Sequence, residues 1–328
     1  MPKSVSVKFI DFWEGFDETD NKFLSALRSR YVVEVIPAAS SEEPEILFYS
    51  RNGQLHLEYD SPIKVYYTGE NDVPDFNECD YAISFHRIEF GKRHLRYPLY
   101  MLYEYDKVKQ THNLSFGRDM AERPFCTFLM RNHWNCDPQR IKIVDAVEAY
   151  RAIAYGGSWR NNVGGMIDNK IQFIAGYKFN LALENSRLQG YVTEKILEPL
   201  AASTVPLYWG APDVCKDFNS DAFIYIADYN SLDNFVADVK RIDNDAEAYL
   251  KILSAPKLLS DRTIDYDGRL ADFLSAIVEE RRRYTTRYGE AGNYHRRRIL
   301  LVPFSENGNL MRMAKLIRLC YKPHHKKR

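Results

Sequence analysis

Apolar and polar positions up to residue 85 fall into short runs of strand-like alternation, interrupted by one run of helical spacing. Residues 3–10 (KSVSVKFI), 31–36, 45–50 (EILFYS), 64–68 (KVYYT) and 81–85 predict five strands, and 21–30 predicts a helix between the first two. That order predicts a small parallel sheet with helices on its faces. Residues 11–16 (DFWEGF) form a loop at the carboxyl end of the first strand. Its aromatics either meet a ligand there or tuck onto the core. The rhythm stops over 91–122, where Pro98, several tyrosines and many charges read as a connecting region.

A second series begins at 125–130 (FCTFLM). Residues 138–152 predict a helix, with Ile141, Val144 and Glu148 at helical spacing, and 156–162 (GGSWRNN) is a glycine-rich loop. The most densely patterned stretch is 177–212. Phe179, Leu181 and Leu183 alternate with Asn180, Ala182 and Glu184, which predicts a strand, and 185–190 is turn chemistry. Thr193 reads as an N-cap with Glu194 in the first turn, where a carboxylate suits the helix dipole. Ile196, Leu197, Leu200 and Ala201 then form a helical stripe. Pro199 falls inside it and predicts a short first segment or a kink, because proline lacks the N–H and crowds the preceding turn. Residues 204–209 predict a strand closed by Gly210 and Pro212; a strand at 223–226 and helices over 231–243, 246–254 and 269–283 follow. The whole reads as two α/β halves facing a cleft, 1–118 and 119–290, with a basic tail over 291–328.

Composition is that of a globular protein: 328 residues, 45% hydrophobic and 27% charged, enough chain for two domains. Tyrosine is abundant, 23 residues, which suits sugar and nucleotide stacking, although most tyrosines in any protein are structural. Five scattered cysteines fit a reduced compartment better than a disulfide framework. Neither a signal peptide nor an apolar run of about 18 residues is seen, so the expectation is a cytoplasmic protein without a transmembrane anchor.

A strand–loop–helix–strand unit keeps ligands outside the carboxyl ends of its strands, near a helix N-terminus that attracts anions. Lys195 adds a full positive charge there, and Glu194 is placed to accept hydrogen bonds from sugar hydroxyls. The plain alternative is an ordinary charged helix start. Glu70 ends the strand at 64–68 and follows Gly69, which permits a sharp turn. That is where an α/β domain displays a catalytic group; alone, it would be a loop glutamate with a surface hydrogen bond. Arg140 opens the helix at 138–152 and Arg160 lies in the glycine-rich loop. Either guanidinium suits a phosphate gripped by two parallel hydrogen bonds, and either could be a solvated charge.

The segments YKFN (177–180), EN (184–185), GYVTEK (190–195) and VPLYWGAP (205–212) resemble the donor-binding motif of the α1,3/4-fucosyltransferases, glycosyltransferase family 10. YTGEN (67–71), DYAISF (80–85) and RYPLY (96–100) resemble the acceptor half of the same family. The resemblance implies the GT-B architecture of two Rossmann-like domains across a cleft. It also implies inverting transfer of L-fucose from GDP-β-L-fucose to a hydroxyl of an N-acetylglucosamine-containing acceptor such as Gal-GlcNAc, a Lewis-antigen-like product. On that resemblance Glu70 is the general base, and Glu194 holds ribose or fucose hydroxyls or stabilises positive charge developing on the sugar. Lys195 pairs with the pyrophosphate, Arg140 or Arg160 with the phosphates, and Asn185 and Tyr191 line the donor pocket. Tyr177 is expected to pack on the sheet.

No metal or cofactor is expected. His133 and Cys136 have ligand-like spacing but no second pair, no Asp-x-Asp lies on a strand end, and Asp243-Asn-Asp reads as a cap or turn. From Gly308 onward there are seven Lys/Arg, two His and no acid, with Leu310, Met313, Ala314 and Ile317 on one helical face. A basic amphipathic helix of this kind suits an anionic membrane surface, so a peripheral location on the inner face of the cytoplasmic membrane is expected. No RNA-binding motif accompanies the charge, and nucleic acid is not expected as a partner.

Overall fold

The computed structural model describes residues 3–103, 105–131, 136–259 and 264–284. The first half runs β1 (Ser4–Ile10), α1 (Lys22–Arg28), β2 (Val32–Val35), β3 (Ile46–Tyr49), β4 (Ile63–Thr68), β5 (Tyr81–Ser84), β6 (His94–Arg96) and α2 (Tyr105–Thr111). Its six strands form one parallel sheet in the order β2-β1-β3-β4-β5-β6. The second half runs β7 (Cys126–Phe128), α3 (Gln139–Tyr150), β8 (Ile153–Tyr155), α4 (Lys170–Ile174), β9 (Phe179–Leu183), α5 (Glu194–Ala201), β10 (Val205–Trp209), β11 (Ile224–Tyr225), α6 (Leu232–Asp243), α7 (Ala246–Leu253) and α8 (Tyr266–Glu280). Five of its strands form a second parallel sheet, β11-β10-β9-β7-β8.

The two sheets share one winding. In each, the second strand lies on one side of the first and the third strand on the other. The topological switch point therefore falls between β1 and β3 in the first sheet and between β7 and β9 in the second. A crevice opens outside the carboxyl ends of the strands at such a point, and ligands of doubly wound sheets bind there. The fold is the GT-B-like pair expected from the sequence.

Strands β3, β4, β9 and β10 are buried along their whole length, as parallel strands covered on both faces must be. Helix α8, the last element of the second half in sequence, packs back on α1 of the first. Leu270, Leu274, Ile277 and Val278 are buried along it, Tyr31 bonds Ser275 at 2.7 Å, and Lys22 pairs with Asp267 at 3.3 Å. On the same side α2 packs on α5, where the Thr111 hydroxyl donates to the Leu200 carbonyl at 3.0 Å.

Four elements escape the sequence pattern, one of them the five-residue α4. β6 and α2 lie in the region read as a connection, and β8 follows directly on α3. β6 and β8 are three residues each, and α2 buries only Val108 fully, so none shows a period. The break or kink expected at Pro199 takes another form: α5 is only eight residues long and continuous through Pro199, ending two residues later. Asp243 and Asp245 do cap and tie. Asp245 caps α7, while buried Asp243 holds Lys178 at 2.8 Å and Arg151 at 2.8 Å. The basic tail lies outside the described residues, and no helix among those described is long and apolar enough to cross a membrane.

Candidate active site

A pocket of about 600 Å³ lies at both switch points. Arg51 and Asn52 reach it from the end of β3 and Glu70 from the end of β4. Met130 and Arg131 come from the end of β7, and Asn185 from the end of β9. Every one of these residues follows a parallel strand at its carboxyl end, so the topology itself brings them to one cleft. Arg140, Glu194 and Lys195, from the first turns of α3 and α5, add polar groups from the second half, as do Lys170 and Glu198.

Glu70 is aimed by a tight turn. Its own N–H is bonded to the Thr68 hydroxyl at 3.2 Å, and its carbonyl accepts from Asp72 N at 2.7 Å. Gly69 is closely packed there: a Cβ would stand 2.4 Å from Leu99 Cδ1, so a larger residue would have to displace the Leu99 side chain. From the other half the Tyr191 hydroxyl donates to Glu70 Oε2 at 3.0 Å, and Asn71 donates to Ser186 at 2.9 Å. Glu70 is thus tied across the cleft by one oxygen.

On the opposite wall Thr193 caps α5 as the sequence predicted, its side chain accepting from Lys195 N. A fully buried carboxylate holds the cap in turn: Glu184 accepts from Thr193 N at 2.8 Å and from its hydroxyl at 2.7 Å. Gly210 leaves room for this, because a Cβ there would meet Glu184 Cγ at 2.4 Å. Lys195 Nζ sits 3.2 Å from Glu194 Oε1 and 3.6 Å from Glu184 Oε2. Burial pulls the Lys195 ammonium down, but Glu194 and Glu184 outweigh it and the group lies above its ordinary value, firmly cationic. Burial pushes Glu194 up, Lys195 more than offsets it, and the carboxylate lies below its ordinary range. For Glu184 burial prevails and the shift is upward. Burial, then Glu184 and Glu70, raise Tyr191, so its hydroxyl keeps its proton and stays a donor.

Arg140 is buried, donates to Asn185 Oδ1 at 2.9 Å and has no partner for its Nε. A buried guanidinium with an unmet donor beside a pocket is a place for an anion. Arg160 is elsewhere. Its backbone is left-handed (φ 53°), its ring neighbour is Trp159, and it pairs with Asp145 at 2.8 Å and Glu148 at 3.2 Å on the surface of α3. Of the seven residues singled out, five line the pocket, Tyr191 backs it through Glu70, and Arg160 is not brought there. Tyr177 packs on Phe173. The sequence reading missed Arg51, Asn52, Lys170 and Glu198. Glu198 lies one helical turn beyond Glu194 and pairs with Lys170 at 3.0 Å, a spacing that would have found it. His133 lies outside the described residues, and among those described no group of three or more His, Cys, Asp or Glu is placed to hold a metal.

Two family models match. Residues 7–103 match the α-(1,3)-fucosyltransferase FucT N-terminal domain, and residues 120–256 match the C-terminal region of glycosyltransferase family 10 (fucosyltransferase). The α-(1,3)-fucosyltransferase FucT of Helicobacter pylori is 32% identical over 77% of this chain. The aligned part spans 60% of that protein's length. Among solved structures, an α1,3-fucosyltransferase with GDP superposes with a TM-score of 0.72 at 28% identity, covering 85% of this chain and 91% of the other. An α1,3-fucosyltransferase with GDP-fucose gives 0.71 at 27% identity over the same shares.

Proposed function

Because the chain belongs to glycosyltransferase family 10, the fucosyltransferases, we propose that it is an inverting α1,3-fucosyltransferase using GDP-β-L-fucose. The acceptor is the 3-hydroxyl of an N-acetylglucosamine in a Gal-GlcNAc glycan, with the 4-hydroxyl as the alternative position. The observation that carries this reading is the opposition of Glu70, from the first sheet, to Arg140 and Lys195, from the second, across one pocket.

In this reading the diphosphate lies against the N-terminus of α5. It takes hydrogen bonds from Lys195 and from the Arg140 guanidinium, whose Nε has no partner among the described residues. Glu70 accepts the acceptor proton while the acceptor oxygen attacks the anomeric carbon from the face opposite the departing GDP, which inverts the centre in one displacement. Tyr191 occupies Oε2 of Glu70, which leaves Oε1 for that proton. Glu194 faces the sugar or ribose hydroxyls and holds Lys195 in place. Two cations and a helix terminus neutralise the leaving diphosphate, so the reading calls for no metal and no cofactor. The basic tail over 291–328 would dock the enzyme on an anionic membrane surface on the cytoplasmic side.

The test is incubation with GDP-fucose and N-acetyllactosamine, followed by linkage analysis. A fucosylated trisaccharide with an α1,3 bond is expected. Turnover confined to another nucleotide sugar, or none, would overturn the reading.

A further inference from the structure

The loop after β1 presents an aromatic surface at the Glu70 end of the cleft. Three of its rings are packed together: Phe12 on Phe16 at 4.1 Å between centroids, Trp13 on Phe12 at 5.5 Å and Trp13 edge-on to Phe16 at 5.1 Å. Phe12 and Phe16 turn toward the core, whereas Trp13 keeps 40% of its surface open. The loop is pinned from below. Asp11, at φ 59°, accepts from Leu55 N, His56 N and the His56 ring at 2.7 Å, and its carbonyl accepts from Asn52 N, a neighbour in the pocket wall.

Beside Trp13 stands Tyr67, three residues before Glu70 in the chain. Its ring is 6.2 Å from Trp13. Its hydroxyl is fully buried with no hydrogen-bond partner among the described residues, and burial first, then Tyr103, Glu70 and Glu194, keeps its proton in place. Tyr103 is the second open aromatic, 45% exposed, and it ends the turn at Leu99–Leu102, whose Leu99 side chain lies against Gly69 next to Glu70. A rigid ring held on one face and open on the other, beside a general base, is suited to the apolar C–H face of a pyranose.

We infer that Trp13 and Tyr103 are the walls of the acceptor site, with Trp13 stacking on the sugar ring that carries or adjoins the attacked hydroxyl and setting acceptor specificity. The inference rests on Glu70 being the base of the transfer proposed above. Neither residue reaches Lys195 or Arg140 by hydrogen bond, so donor binding is predicted to be independent of them.

The experiment is steady-state transfer from GDP-fucose to N-acetyllactosamine by the full chain and its Trp13→Ala, Trp13→Phe and Tyr103→Ala variants, alongside GDP titration of each. Trp13→Ala should raise the acceptor KM about tenfold, the scale of one lost ring contact, with kcat and the GDP dissociation constant within about twofold. Trp13→Phe should recover most of that loss, and Tyr103→Ala should move the acceptor KM in the same direction. An acceptor KM unchanged in Trp13→Ala would overturn the inference while leaving the transferase reading intact. So would parallel losses of acceptor and GDP binding, which mark a general loosening of the cleft. Failure of the unsubstituted protein to transfer at all would remove both.

Discussion

Arg140→Met should make the free protein more stable and the donor site weaker, two effects of opposite sign. Arg140 is 2% exposed, has no carboxylate partner among the described residues, and makes one side-chain hydrogen bond, to Asn185 at 2.9 Å. Its Nε is unmet and its charge repels Lys195. Removing an uncompensated buried cation and filling its space with an unbranched apolar chain typically stabilises by about 1–3 kcal/mol, against about 1 kcal/mol for the lost Asn185 bond. The expected net gain is about 1–2 kcal/mol, a rise of roughly 2–5 °C in Tm for a chain of this size. The same change deletes one or two charge-assisted hydrogen bonds to the diphosphate. That costs about 2–4 kcal/mol, a weakening of GDP binding by roughly 30- to 1,000-fold. Thermal denaturation with and without GDP, together with calorimetric titration, reads both. A variant that melts lower and binds GDP within about threefold of the parent would show that Arg140 is structural and the anion site lies elsewhere.

Glu70→Gln should keep GDP affinity and lose transfer by about 10²- to 10⁴-fold, the usual contribution of a general base; near-normal turnover would remove Glu70 from that role. His94 supplies a pH dependence of stability. Its Nδ1–H donates to the Ile88 carbonyl at 3.0 Å, so Nε2 accepts from Ser84 at 2.8 Å, and burial lowers its pKa to about 4. The folded value lies below the unfolded 6.5, so the unfolded chain binds more protons between them. Stability should be full above about pH 6.5 and fall by up to about 3 kcal/mol as the pH drops toward 4. Denaturant midpoints of the parent and His94→Gln across that window should converge at low pH, and parallel curves would contradict the assignment. Deleting residues 291–328 should abolish co-sedimentation with phosphatidylserine vesicles while GDP binding survives; undiminished sedimentation would place the membrane contact in another surface.

The parts of the fold that could be read from the chain are those whose burial forces a period. β4 and β10 are buried throughout because both faces are covered, and Thr193 with Glu194 marks a helix start because the cap must satisfy a free N–H. β6, β8 and α2 bury too little to imprint a pattern. Glu70, Asn185, Glu194 and Lys195 were legible as pocket residues for simple reasons. Glu70 and Asn185 follow recognisable strands, whose carboxyl ends a parallel sheet delivers to one edge, and Glu194 and Lys195 open the helix that Thr193 caps.

Arg51 and Arg160 mark where that reasoning stops, from opposite sides. Arg51 follows β3 in a segment with no unusual chemistry. It becomes a pocket residue only because β3 inserts beside β1, opposite β2, which is a fact of strand order and not of local sequence. Arg160 sits in a glycine-rich loop that looks like a phosphate cradle, yet its φ of 53° turns it onto Asp145 and Glu148. Both arginines are charged, flexible and next to a strand end, and one-dimensional spacing scores them wrongly in both directions. What separates Arg140 from Arg160 is the absence, among the described residues, of a carboxylate paired with the first and the presence of two beside the second. An arginine already neutralised by the protein gains little from a phosphate, whereas one buried beside a pocket and left uncompensated gains most. Charge left unpaired by the fold is therefore the sharper guide to the donor site than charge as such, and in the proposed reading it favours Arg140 over Arg160 as the partner of the diphosphate.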